Sequence, residues 1–329
     1  MTTPAVPEYR NRRTGLIIFG IFEILIGLLC ALFIPLMLFA RTMASRNPQA
    51  HPAPPMPGFI MALYGLLAVG FIWIGFGSIL ARRWARAIAL CMSAVGLCCG
   101  LIGCVAMVFI LPHFGDLMAK SSQTSMPPGA ILTAEIFIAV AAFVIYIIVP
   151  GALFLFYRSP NVKLTCEARD PVERWTDRCP LPVLALSLMM ICGGTSLLLM
   201  AGSFRVFPFF GVFVSGGACV ALMLLIGALF LYLAWGMYRL RLRAWWIALC
   251  AQVILLTSNL LTFWQGGFDT FYLKMGYDQG TAGSAGSMLG QPVFKWVMVA
   301  SVFFWIGWLL WILRFFPKQE PTAAHQAGS

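Results

Sequence analysis

Apolar residues in this chain come in long blocks. Eight near-continuous runs occupy residues 15–40, 59–81, 86–111, 130–157, 181–204, 208–238, 244–266 and 293–316. Each is longer than the roughly 20 residues that cross about 30 Å of hydrocarbon at 1.5 Å per residue. A membrane barrel would instead alternate apolar and polar positions over about 10 residues per strand. The pattern therefore predicts eight transmembrane helices and an all-α integral membrane fold. The first run follows Arg10, Arg12 and Arg13 but continues to Phe39. That is far beyond the 7–15 residues typical of a signal-peptide core, so a retained anchor is expected.

Composition agrees with lipid as the main solvent. The chain is 61% hydrophobic and 10% charged, whereas soluble domains carry about 25% charged residues. In hydrocarbon, backbone groups must be satisfied internally, which helices do.

Charge then orients the helices. Sixteen of the 22 Lys and Arg residues fall on one set of connections. These are the arm before run one, the turn at Arg82, Arg83 and Arg86, the middle connection, the turn at Arg239, Arg241 and Arg243, and the tail. By the positive-inside rule that face is cytoplasmic, with both termini on it, in a cell (inner) membrane. The net charge of +11 suits anionic headgroups and calls for no nucleic-acid partner. Eight of the ten cysteines sit inside apolar runs and two in the middle connection. No outer-side disulfide is expected from that placement.

The chain also repeats itself. Shifted by 159, residues 62–90 fall on 221–249, and Ala62, Leu63, Leu66, Phe71, Gly77, Arg82, Ala85, Ile88, Ala89 and Leu90 meet identical residues. The same event recurs in both halves: helix, glycine, basic turn, alanine, helix. Two four-helix repeats in the same orientation are expected, related by a pseudo-two-fold axis along the membrane normal. The divisions are an arm at 1–14, a first four-helix unit at 15–157, a cytoplasmic linker at 158–181, a second unit at 182–316 and a disordered tail at 317–329. The outer stretch 51–58 is proline-rich and reads as stiff. The Gly- and Ser-rich stretch 275–290 reads as mobile. Each half resembles four-span (tetraspan) membrane proteins in its tight basic turn between spans two and three and its longer outer loops. That resemblance implies a scaffolding role and carries over no individual residue.

Ionisable groups inside lipid are costly and so are functional candidates. Glu23 lies about 12 Å into the first helix at 1.5 Å per residue. The similar stretch of the second half, 186–194, has no acidic residue. Gln252 and Asn259, seven residues apart on run seven, share a helical face. Glu23, Gln252 and Asn259 are thus the candidate proton, cation or substrate site. Glu135 and Lys295, in the early outer turns of runs four and eight, are a candidate charge pair, or snorkel separately to the interface. In the middle connection Arg174 and Trp175 are candidate docking residues. Gly96 and Gly100 have the spacing that lets helices approach. The cysteines lack zinc-site spacing, and His113 with Asp116 makes only a weak motif. No metal, cofactor or catalytic constellation is expected, and an enzyme is not the reading.

Two functions remain. One is movement of a small solute or ion between the two halves. The alternative is a non-catalytic scaffold or accessory subunit, with a protein partner held through 158–181.

Overall fold

The computed structural model describes residues 10–46, 58–111, 128–204, 206–264 and 267–316. Residues 51–57, His113, Asp116 and the tail 317–329 lie outside the described residues.

Eight helices are long and apolar enough to cross a membrane: Arg13–Ala40, Gly58–Ile79, Arg83–Val108, Gly129–Arg158, Leu181–Ala201, Gly217–Tyr238, Leu242–Trp264 and Pro292–Phe315. They are numbered here as spans one to eight. The chain is a multi-pass helical membrane protein. Large apolar side chains such as Leu32, Phe137, Leu225 and Phe303 are exposed, as a lipid-facing surface requires. The fourth span contains a π-helical turn at Val144–Ile148. Gly100 of span three packs against the Tyr146 carbonyl of that turn, where a side chain would collide.

Backbone-to-backbone packing pairs the spans. In spans one and two, a Cβ added to Gly20 would lie 2.7 Å from the Gly75 carbonyl oxygen, and one on Gly27 would lie 2.9 Å from that of Ala68. In spans five and six, a Cβ on Gly194 would lie 2.9 Å from the Gly227 carbonyl oxygen. With little hydrophobic drive between helices in lipid, such small-residue contacts supply the association.

The two basic turns share one geometry. After span two, Ala81 adopts φ 53°. Its N–H donates to the Ser78 carbonyl (2.9 Å), and the Arg82 N–H donates to that of Gly77 (2.9 Å). After span six, Leu240 adopts φ 52°. There the Leu240 N–H donates to Met237 (2.8 Å) and the Arg241 N–H to Gly236 (3.0 Å). Both are Schellman closures, which satisfy the orphan carbonyls of a helix end through one left-handed residue. The glycines are needed for closeness: a side chain at Gly77 would collide with Ala85, and one at Gly236 with Ala244.

Two expectations are corrected. The sixth apolar run does not begin a helix at 208. Residues Val206–Phe209 (β1) and Val212–Ser215 (β2) form an antiparallel hairpin before span six starts at Gly217. Pro208 lacks an N–H, and Phe210 (φ 45°) with Gly211 (φ 82°) makes a two-residue turn with both φ positive, the twist a hairpin favours. The stretch 275–290 is also not simply open loop: Phe268–Lys274 and Gln279–Leu289 are short helices. Small residues permit this, because Gly286 sits against Asp269, 3.0 Å from its added Cβ.

Buried residues divide by half. Leu16, Ile74, Leu153, Tyr157 and Val162 belong to one cluster. Leu184, Met190, Met237, Trp245 and Ile312 belong to another, which Ala87 and Cys91 of span three join.

Candidate functional site

Glu23 is 2% exposed and bonded. Helix one carries it to the depth of the last turn of span two, where the Ser78 hydroxyl donates to Glu23 Oε2 at 2.9 Å. The Tyr157 hydroxyl, from the end of span four, donates to Ser78 Oγ at 2.8 Å. All three side chains are buried. The network thus ties spans one, two and four together. Sequence reasoning found the carboxylate and missed its partners. A hydroxyl matched to Glu23 in depth was the available signal for Ser78. Tyr157 reads in sequence as an ordinary interfacial aromatic.

Gln252 and Asn259 do not join this network. Both are half-buried on span seven, and Asn259 Nδ2 donates to the Leu255 carbonyl of its own helix at 2.9 Å. The polar face of span seven serves the hairpin instead. Ser258 Oγ accepts the Phe210 N–H and Thr262 Oγ1 accepts the Gly211 N–H, each at 2.9 Å. These hydroxyls satisfy the two turn amides.

Glu135 and Lys295 are not brought into an ion pair. Lys295 Nζ instead lies 5.6 Å from the centroid of the Trp264 ring, a cation–π arrangement.

The middle connection is folded against the first half. It forms a helix at Pro160–Arg169 and a 3₁₀ turn at Trp175–Arg178. Asp170 is its anchor, with a side chain 2% exposed. Arg174 grips it through Nε at 3.0 and 3.1 Å and Nη2 at 2.6 Å. Arg82 Nη1 stands 3.7 Å away, and the Arg83 N–H at the start of span three donates to it at 3.4 Å. The Arg174 hydrogen bonds, ahead of the other contacts, hold the Asp170 carboxyl below the usual carboxylate range despite its burial. Arg83 also meets Glu167 (3.4 Å) and Asp177 (3.3 Å). Arg174 is therefore an internal fastening. Trp175 is 40% exposed; its carbonyl accepts the Tyr238 hydroxyl at 2.9 Å. Burial pushes the Cys166 thiol up to about 11 and the Cys179 thiol to the same level.

Two cavities open near the basic face. One, of about 750 Å³, lies between spans three, four, five and eight, with Arg158 at an otherwise apolar lining that includes Cys98, Phe304 and Trp308. The second, of about 680 Å³, lies between spans five and six and the 3₁₀ turn of the connection. Glu23, Gln252 and Asn259 line neither. Among the described residues no three His, Cys, Asp or Glu side chains gather as a metal site. The chain matches no family model, no curated protein and no solved structure.

Proposed function

We propose that this multi-pass membrane protein is a non-transporting scaffold or accessory subunit, built from two like-oriented four-helix repeats. The observation that carries the reading is the enclosure of Glu23. Its carboxylate is 2% exposed, bonded to Ser78 and backed by Tyr157, and it lines neither cavity. A carrier site needs access from one side of the membrane or the other. The other two pathway candidates do not meet it.

Comparison of the halves supports the same view. An offset of 159 relates the two basic turns, and it also relates buried Leu153 and Tyr157 to buried Ile312 and Phe316. In span one the offset is 167, which relates the Gly27–Ala68 approach to Gly194–Gly227. By these offsets Glu23, Ser78 and Tyr157 correspond to Met190, Met237 and Phe316. Those three are buried in the second core. The polar set of one half thus stands where the other half has an apolar set. A brace tolerates such an exchange; a proton path used by both halves does not.

The test is the decay of an imposed pH gradient in proteoliposomes. Full-length protein and the volume-conserving variant Glu23→Met/Ser78→Ala/Tyr157→Phe are compared with protein-free vesicles. All three should decay alike. Faster decay with wild type that the triple variant abolishes would establish a proton path and overturn the reading.

A further inference from the structure

The cavity between spans five and six has a lining that is not that of a void left by loose packing. By the offsets above, Ser187 and Ala234 correspond to Gly20 and Gly75. In the first half those glycines bring the two backbones into contact. In the second, the larger residues line a cavity of about 680 Å³, within the range of roughly 300–1,000 Å³ usual for small-molecule sites.

Three features of the lining point to a ligand. Arg178 and Arg239 stand at the basic-face end, and neither has a carboxylate partner among the described residues. Arg239 lies 4.7 Å over the Trp235 ring, so its charge is held in place by an aromatic wall. Deeper in, the Ser187 hydroxyl is buried and has no hydrogen-bond partner. A buried orphan hydroxyl normally costs stability unless something pairs with it. The remaining wall is apolar, and Ile191 and Trp235 are 44% and 54% exposed, so the cavity opens sideways on the surface that faces lipid.

We infer that this cavity binds an anionic phospholipid from the leaflet on the basic face. The phosphate pairs with Arg178 and Arg239. One acyl chain enters along Leu188 and Ile191, and a glycerol or ester oxygen meets Ser187. Charge complementarity selects the anionic headgroup, since interfacial cations attract such lipids. The sideways opening and the apolar depth select a lipid over a soluble phosphate. The inference does not depend on whether the protein transports.

The test uses the full chain in nanodiscs of phosphatidylcholine doped with phosphatidylglycerol, with retained lipids identified by native mass spectrometry. Wild type should keep phosphatidylglycerol preferentially. Arg178→Gln with Arg239→Gln should cut retention about tenfold or more, the size expected of two interfacial cations. Arg241→Gln with Arg243→Gln makes the same charge change outside the cavity and should retain it. Ile191→Trp, at an exposed position, should reduce retention by filling the chain end. Retention unchanged by the cavity pair, or lost equally in the control pair, overturns the inference. So does retention unaffected by Ile191→Trp but displaced by inorganic phosphate, which would mean a headgroup-only site.

Discussion

Ser78 shows what a single hydroxyl does in this protein. It donates to Glu23 and accepts from Tyr157, so removing it takes a hydrogen-bond partner from two buried polar groups at once. Ser78→Ala should cost about 1–3 kcal/mol, the penalty of leaving buried polar groups unpaired; thermal unfolding in detergent checks it. Asp170 is the second telling residue. Its carboxyl titrates lower in the docked connection than it would free, first because of Arg174. Docking therefore favours the charged form. That contribution is complete above the free value of about 4 and is lost as pH falls through the depressed value. Hydrogen exchange of the amides in 160–169 should thus be level at neutral pH and quicken, after correction for intrinsic rate, at strongly acid pH. Asp170→Asn should remove that acid dependence; its persistence would mean another group governs docking.

At the level of elements, the close approach of spans one and two rests on glycines at particular places. Gly20→Ala should destabilise by about 1–3 kcal/mol, because the new methyl meets a carbonyl that cannot yield cheaply. Gly70→Ala, on span two with open space around it, should be neutral or stabilising by up to about 1 kcal/mol. Equal effects in unfolding experiments would contradict the packing described. The elements also show how far sequence could be read. The eight spans were legible because continuous apolar length is a direct consequence of bilayer thickness. The hairpin was not, because its strands are as apolar as the span that follows. Pro208 and the glycines at 211 and 216 are among the few residues that distinguish it. The helix at 279–289 was hidden in the same way: glycine and serine suit a loose loop and a tightly packed helix equally. Of the candidate site, Glu23 stood out by its cost in lipid, whereas Ser78 and Tyr157 carry no such cost. Their role depends on which helices meet, which no local pattern records.

Over the whole molecule, the buried clusters of the first and second halves differ in chemistry. The first half joins spans one, two and four through carboxylate and hydroxyls. Under the proposed repeat, the corresponding positions of the second are Met190, Met237 and Phe316, which are buried together. If the halves are equivalent frames, the polar network is a brace that apolar residues of matched volume can replace, since removing all partners together strands nothing. The most direct measurement is the thermal unfolding of Glu23→Met/Ser78→Ala/Tyr157→Phe beside Ser78→Ala alone. The account predicts that the triple variant unfolds close to wild type and above the single variant. A triple variant less stable than Ser78→Ala would contradict it.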